Sequence, residues 1–376
     1  MHEDIVSSTT PLTPPTTEET RGLWLRLIRS RRVGVSTFFR LMREYGTAAE
    51  ALDALPKIAR TAGVTDYKTC PESIVQDELE AAYKVGAQMI CYGDPQYPKS
   101  LMEIEDAPPL FWAIGDTDLM SRPMVSMVGA RNASSLGERM ARKLASGLSE
   151  HGIVVVSGLA RGIDAVCHQA ALEGGTIAVQ AGGVDKIYPR ENTDLFWDLG
   201  ARGLRISEDP IGLTPQARHF PKRNRIIAGL SRGLVVIEAA ARSGTLITAR
   251  NALDQGREIM AIPGHPLDPR SAGSNMLLRD GATLVRNLDD ILEQLSGIAG
   301  NIEEATAPEL ETKEVTCDTT DLHRRILDRL GPTPLSEDQL IRDLKLSANQ
   351  VSSELVNLEI NGQIERASGG LLTRVH

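Results

Sequence analysis

Several short blocks of this sequence combine glycines, hydroxyls and cations in a way that suits an anion. Val128-Gly129-Ala130-Arg131 ends an apolar run and precedes a helical pattern near Ser134–Leu136. Glycine there lets backbone approach a ligand, and the N-terminal N–H groups of the next helix attract phosphate. Ser157-Gly158-Leu159-Ala160-Arg161-Gly162-Ile163-Asp164 repeats the arrangement with two glycines, a hydroxyl and a guanidinium. Such a junction makes an anion cradle with a clamp. Gly182-Gly183-Val184-Asp185-Lys186-Ile187-Tyr188-Pro189 adds a lysine, and Ser243-Gly244-Thr245 opens a helix with hydroxyls and free N–H groups. The densest basic cluster is Arg218-His219-Phe220-Pro221-Lys222-Arg223-Asn224-Arg225, just before an expected helix at Ile226–Leu230. Phe220 suits either base stacking or core packing, with packing the more ordinary role. Pro263-Gly264-His265 and Gly273-Ser274-Asn275 read equally well as loop punctuation.

Catalysis is less well served. Ser157, Asp164 and His168 name the groups of a hydrolytic triad, but proximity in sequence does not supply the geometry. Asp164 is better placed to cap the helix that follows it, and His168 to hydrogen-bond Asp164 one turn away. There is no complete G-x-G-x-x-G and no G-x-x-x-x-G-K-[ST], so dinucleotide and Walker-type ATP sites are poorly supported. Cys70, Cys91, Cys167 and Cys317 are far apart with no C-x-x-C pair, which removes a zinc ribbon and a dithiol centre. No metal and no cofactor is expected.

The anion-binding blocks need a scaffold that brings them to one rim. Apolar runs at Val125–Val128, Ile153–Ser157, Thr176–Val179, Leu204–Ser207, Leu234–Glu238, Glu258–Ile262 and Thr283–Val285 predict strands. Helical patterns such as Leu136–Glu150 and Asp164–Glu173 lie between the first of them. That alternation predicts an α/β domain with a mostly parallel sheet covered on both faces, whose ligands sit beyond the strands' carboxyl ends. Several loops of this kind at one rim suit an extended polyanion better than a single phosphate.

Residues 1–20 are rich in Thr, Pro and Glu and read as a disordered tail without a signal peptide. Residues 21–85 carry helical spacing (Leu23, Leu27, Ile28; Phe38, Phe39, Leu41, Met42; Leu52, Leu55) broken by glycines, which predicts a small helical domain. The stretch at Gly34-Val35-Ser36 has a helix-hairpin-helix character. Residues 86–296 form the α/β core, and the acidic stretch 297–319 reads as a linker. Residues 320–376 predict helices at Asp321–Leu330, Ser336–Leu344 and Ser347–Asn361. A hairpin at Gln363–Arg366 and Leu371–Val375 follows, which together make a winged helix.

The chain of 376 residues has a net charge of −9, yet residues 121–290 hold 21 Lys and Arg against 17 Asp and Glu. A localised basic site fits better than a nonspecific polycation. No run of 18 apolar residues is present, so no membrane span is expected, and the expected compartment is the cytoplasm.

Taken in order, VGAR, SGLARGID with His168, GGVDKIYP, SED at 207–209, FPKRNRIIAGLS, VVIEAAARSGTLITA, IPG and AGSNMLLRDGA resemble the DNA-processing protein A family (DprA, also called Smf). The resemblance covers roughly residues 86–296, with YPKSLMEIEDAPPLFWAIGD at 97–116 as its lead-in. The flanking segments are similar to accessory domains of some members. The resemblance implies an extended Rossmann-like core that binds single-stranded DNA without a known catalytic step. It further implies homodimerisation through that core and loading of the RecA recombinase during natural transformation. The DNA pocket it implies comprises Gly129, Arg131, Ser157, Gly158, Arg161, Gly162, Lys186, Arg223, Asn224, Arg225, Ser243, Gly244 and Thr245. Leu159 stands where many members have glycine.

Two rival readings remain. One is a nucleotide hydrolase of the lysine-decarboxylase-like (LOG) group, whose P-G-G-x-G-T-x-x-E signature ends in a glutamate. Here ARSGTLITA has Thr248 at that position. The other is a duplex-DNA regulator acting through the winged helix. Its expected recognition helix, Ser347–Asn361, has no Arg or Lys and carries Glu354 and Glu359, which does not suit a major-groove reader.

Overall fold

The structure is a computed structural model. It describes residues 13–298 and, beyond them, 322–323, 326–327, 335–336, 340–341, 351, 354–355, 357–359, 361, 363–367 and 371–374. The first helix, α1 (Glu18–Arg29), begins three residues earlier than its apolar spacing suggests. The cause is a capping box in which Thr17 Oγ1 accepts from the Thr20 amide and Thr20 Oγ1 accepts from that of Thr17. The expected tail 1–20 therefore loses its last residues to α1, and 1–12 lie outside the described residues.

Helices α2 (Val35–Tyr45), α3 (Ala48–Thr61) and α4 (Glu72–Lys84) follow. Their buried faces, including Phe38, Leu41, Leu52 and Val75, enclose Trp24, Leu25 and Leu27 of α1. The next elements are β1 (Gln88–Cys91), α5 (Lys99–Met102) and β2 (Leu110–Gly115), with the two strands antiparallel. Cys91, Leu110 and Trp112 of this pair belong to the same apolar cluster as the helices. The helical region and the sheet edge thus share a core, and Trp112 Nε1 donates to Glu78 of α4 at 2.8 Å. On the outer side of β1, Arg21 Nη1 donates to the Met89 carbonyl at 2.9 Å and Asp94 Oδ2 accepts from the Cys91 amide at 2.8 Å.

The α/β core runs β3 (Met124–Gly129), α6 (Ser135–Glu150), β4 (Val154–Ser157), α7 (Ile163–Ala171), β5 (Thr176–Val179), α8 (Thr193–Arg202) and β6 (Leu204–Ser207). It continues through α9 (His219–Leu230), β7 (Gly233–Ile237), α10 (Gly244–Asp254), β8 (Glu258–Ala261), α11 (Ala272–Arg279), β9 (Thr283–Leu284) and α12 (Leu288–Ile298). All seven strands expected from the sequence are present, in the sheet order β1-β2-β6-β5-β4-β3-β7-β8-β9. Strands β3 to β9 pair in parallel, and β1 and β2 extend one edge antiparallel. Val125, Met127, Val155 and Val235 face one layer of helices, while Val128, Val154, Val156 and Leu234 face the other. From β3 the chain winds outward through β4, β5 and β6, then returns to the far side of β3 with β7. The topological switch point is therefore between β3 and β7.

Residues up to Asn301 make one compact unit and Ile302–His376 a second. In the second, β10 (Leu335–Ser336), β11 (Ile364–Ala367) and β12 (Leu371–Arg374) form an antiparallel sheet in the order β10-β12-β11. Its apolar core gathers Leu322, Ile326, Leu340, Val351, Leu355, Leu358, Ile364 and Leu372, as a winged helix requires. Ser336, expected to open a helix, lies in β10 instead, where it pairs with Leu371. Apart from residues 297–298 at the end of α12, the acidic stretch lies outside the described residues. Among the described residues no helix is long and apolar enough to cross a membrane.

Candidate nucleic-acid interface

Two adjoining clefts, with volumes of about 700 and 510 Å³, open at the carboxyl ends of the central strands. They share Arg131, Ala160, Phe220 and Arg223, so together they form one continuous trough. The first lies between the loop at 186–191 and α9, and the second lies at the β3/β7 switch point against the start of α10. Open parallel sheets bind ligands at this position. A larger cleft of about 1140 Å³ lies against α1, α4 and β1, but there Arg21 and Arg26 are paired with Asp94 and Glu72, and Glu18, Glu19 and Glu80 leave Lys84 outnumbered. That charge repels a polyanion.

Most of the expected residues converge on the trough. Arg131, Gly158, Arg161, Lys186 and Arg223 line the first cleft, and Gly129, Arg131, Arg223, Asn224, Ser243, Gly244 and Thr245 line the second. Arg131 is exposed, with its guanidinium 5.4 Å from the centre of the Phe220 ring. Arg161 is held only by an exposed ion pair with Glu191 at 3.5 Å, and Lys186 by Asp185 at 3.3 Å. The Arg161–Glu191 pair is exposed and therefore weak, so Arg161 can turn to a phosphate, whereas the Asp185 carboxylate beside Lys186 is largely covered. Ser243 caps α10 by accepting from the Thr245 amide, and a Cβ on Gly244 would meet nothing within 4 Å, leaving that backbone open to a ligand.

Other members of the set serve the frame instead. Ser157 is fully buried and donates to the Met127 carbonyl at 2.6 Å, so its hydroxyl is not offered to the trough. Thr245 donates to the Gly129 carbonyl at 3.0 Å. Glycine is required at 129 because a Cβ there would lie 2.0 Å from the Ile237 carbonyl. Gly162 has a φ of +72°, and a Cβ there would lie 2.3 Å from the Ala130 carbonyl. These glycines bring β3, β7 and the 158–162 loop together.

The basic cluster is not a row of exposed clamps, because α9 starts at His219 and takes in all of it but Arg218. Arg225 is buried and points away from the trough. It donates to the Asp106 carbonyl at 2.6 Å and pairs with the Glu208 carboxylate, so its charge is already neutralised. Lys222 lies 3.5 Å from Glu208. Arg223 forms the floor, buried and donating to the Gly158 carbonyl at 2.6 Å and to that of Val179. Burial lowers its pKa to about 10, against the opposing pull of Asp164. Gly158 permits this approach, since a Cβ there would lie 2.2 Å from Arg223 Nη1 and 2.8 Å from Asp164 Oδ2.

The Ser157, Asp164 and His168 groups do not form a relay. His168 Nδ1 is 2.7 Å from Thr176 Oγ1, and burial, reinforced by Arg223, lowers its pKa to about 3. It does not bond Asp164 as the sequence suggested. Asp164 does not cap α7 either, because Gly162 holds the N-cap position. Asp164 accepts from the Ala160 amide at 3.3 Å, and burial raises its pKa against the pull of Arg223. The start of α6, also expected to attract phosphate, is closed by the chain itself. Glu238, in left-handed backbone at φ 56°, accepts from the Ser134 amide and hydroxyl there.

Five contributors were missed or undervalued at the sequence level. Tyr188 is 47% exposed, and its ring lies 5.5 Å from that of Phe220, which makes an aromatic shelf in the first cleft. Phe220 is only partly buried, so the packing role does not hold. Asn192 Nδ2 donates to the Leu159 and Ala160 carbonyls and fixes the 158–162 loop. Arg190 and Arg270 line the rim. The run Tyr188-Pro189-Arg190 at the end of the glycine-rich block was the available signal for Tyr188 and Arg190.

A profile described as DNA recombination-mediator protein A matches residues 88–296, more than half of the chain. The chain belongs to the DprA family. The DprA-like N-terminal HHH domain matches residues 18–81, and the DprA winged helix domain matches 307–370. Protein Smf of Synechocystis is 32% identical over 387 residues, spanning 93% of this chain and 97% of that protein. The DNA processing protein DprA of Streptococcus pneumoniae is 46% identical over 203 residues, spanning 54% and 72%. An X-ray structure of DprA from Streptococcus pneumoniae superposes with a TM-score of 0.58 and 34% identity, over 73% of this chain and 93% of that one. A structure of DNA processing protein A from Helicobacter pylori, described for its single-stranded DNA binding mode, gives 0.52 and 27%, over 56% and 96%.

Two features place this DprA chain within its family. Leu159, a departure from the pattern the resemblance implies, keeps left-handed backbone, φ 57°, and is buried against Ala165, Leu172 and Phe196. That packing offsets the strain of a side chain in this region. Thr248 is buried on α10 and lines the second cleft, so no carboxylate stands where the LOG signature needs one.

Proposed function

We propose that the trough binds single-stranded DNA without catalysis, and that the chain acts as a homodimer in the cytoplasm, protecting incoming DNA and loading RecA recombinase during natural transformation. The observation that carries this reading is the pairing of Arg131, Arg161 and Lys186 with the Tyr188–Phe220 shelf in one open trough. Cations tracking a backbone beside an aromatic platform are what single strands require. The Helicobacter pylori relative described for single-stranded DNA binding supports it. The internal bonds of Ser157 and His168 support the absence of a catalytic step. Exposed Leu253, Leu267, Met276 and Leu284, on or beside α10, α11 and β9, supply apolar surface for a dimer formed by the core. In the second unit, Glu354 bonds His323 at 2.5 Å and brings no cation to a duplex, which favours the core as the DNA-binding part.

The test is fluorescence-anisotropy binding of labelled oligo-dT against a duplex competitor at two salt concentrations. The expected result is salt-sensitive binding with preference for the single strand. Duplex preference, or binding abolished by removing residues 320–376, would overturn the reading. Release of free base from a nucleoside monophosphate would favour the hydrolase.

A further inference from the structure

We propose that Ser207, Glu208 and Asp209, at the carboxyl end of β6, form a clamp that fixes the two walls of the trough relative to each other, with Asp209 as the positioning residue for single-stranded DNA. The inference rests on the reading of the trough as a DNA site. One wall is the loop that leaves β5 at Gly182 and carries Lys186 and Tyr188. Both backbone groups of Gly182 are taken by the clamp: its amide donates to Asp209 Oδ2 at 2.8 Å, and its carbonyl accepts from Ser207 Oγ at 2.6 Å. The Asp209 amide in turn donates to Ser207 Oγ at 3.1 Å, which holds the two gripping side chains together. Glycine is needed at 182 for this grip, at φ +80° and with a Cβ that would lie 2.7 Å from the Leu213 carbonyl.

The other wall is α9, which carries Phe220 and Arg223. Lys222 Nζ reaches Glu208 Oε1 at 3.5 Å and Asp209 Oδ1 at 3.9 Å, and Arg225 pairs with the second oxygen of Glu208. The same carboxylate pair thus holds the loop through a backbone amide and the helix through two cations. The walls meet where the Tyr188 and Phe220 rings pack against each other, centroids 5.5 Å apart, so a change in the separation of the walls breaks up the shelf offered to a base. Glu208 and Asp209 are buried and line neither cleft. Their influence on DNA therefore passes through the walls. A buried amide that loses its acceptor is costly, so the loop would shift rather than leave the Gly182 N–H unpaired.

Oligo-dT binding and its salt dependence should be measured for Asp209→Ala, Asp209→Asn, Ser207→Ala and Arg131→Ala, with hydrogen exchange read at residues 182–188. If the competent arrangement of the walls drops to about a tenth of the population, affinity falls about tenfold. Asp209→Ala is expected to show that loss with an unchanged salt slope and faster exchange at 182–188. Asp209→Asn, whose amide oxygen still faces Gly182, should restore most of the affinity. Wild-type affinity in Asp209→Ala, or a reduced salt slope, overturns the clamp. Should Asp209→Ala fail to fold, Ser207→Ala removes the other half of the grip and is held to the same outcomes. Arg131→Ala separates the two ideas. If it weakens binding and flattens the slope while the clamp variants bind normally, the clamp alone is wrong. If Arg131→Ala also binds normally, the trough is not the DNA site and the clamp falls with it.

Discussion

Arg223 and Arg225 stand two residues apart on α9 and their guanidinium groups serve opposite sides of it. Arg223 reaches the Gly158 and Val179 carbonyls under the trough, while Arg225 reaches Asp106 and Glu208 away from it. Two residues along a helix are about 200° apart around its axis. A cluster read as one basic patch is therefore split into a floor and an anchor, and of the cations expected from the sequence those left to face the trough are Arg131, Arg161 and Lys186, beside Arg190 and Arg270 at the rim.

The split separates binding from stability. Arg131→Ala should weaken oligo-dT binding and lower the slope of log affinity against log salt by about one phosphate. Arg225→Ala leaves Glu208 buried without its main partner and should cost about 3–5 kcal/mol of stability, seen as a lower Tm, with the slope unchanged. A flattened slope in Arg225→Ala, with normal Tm, would show that this guanidinium does leave Glu208 for DNA.

The aromatic shelf has its own signature. Phe220→Ala or Tyr188→Ala should each lose about 1–3 kcal/mol of binding to oligo-dT at an unchanged salt slope. On an abasic strand of equal length the variants should match the wild type. Equal losses on both strands would mean that the rings support the loop and do not stack on bases.

His168 gives the fold an acid limit. The folded chain keeps this imidazole neutral down to about pH 3, whereas the unfolded chain protonates it near 6.5. Between those values the unfolded state binds the extra proton, so stability falls as pH drops through that window and stops changing on this account below it. Asp164, its pKa raised by burial, acts in the opposite sense at lower pH. Urea unfolding of wild type and His168→Gln at pH 7, 6 and 5 isolates the histidine: the wild type should lose more stability on acidification than the variant. Parallel curves would show that His168 protonates without opening its site.

Two glycines that look alike in sequence should behave differently. Gly162→Ala forces a Cβ to 2.3 Å from the Ala130 carbonyl at positive φ, and should lower Tm and displace Arg131 beside it. Gly244→Ala meets nothing and should keep or raise Tm, so any loss of DNA affinity there reports a ligand against that backbone. Equal Tm losses would contradict this distinction.

The strands were legible because fully buried parallel strands are continuous apolar runs, and Val154–Ser157 or Leu234–Ile237 admit few other readings. Strand β1 was not, since Gln88–Cys91 is only four residues long with just its last two buried, and β2 was seen only as part of the family's lead-in. In the trough, residue types were legible and directions were not. Ser157 and Thr245 have the hydroxyls of a ligand site, but their bonds go to the Met127 and Gly129 carbonyls, which sequence spacing cannot reveal. Glu208 and Asp209 were visible only as part of a motif, because their partners lie in a loop and a helix well separated along the chain.

The side chains on the outer face of β1 set a limit on assembly. Because Tyr92 bonds inward to Pro109, Met89 and Cys91 present their backbone outward, and Arg21 and Asp94 occupy the Met89 carbonyl and the Cys91 amide. A strand arriving at that edge finds the Met89 carbonyl and the Cys91 amide already taken and would have to displace a buried carboxylate that also pairs with Arg21 at 2.8 Å. Among the described residues, this end of the nine-stranded sheet is thus guarded against the fibre growth or strand exchange that an open edge invites.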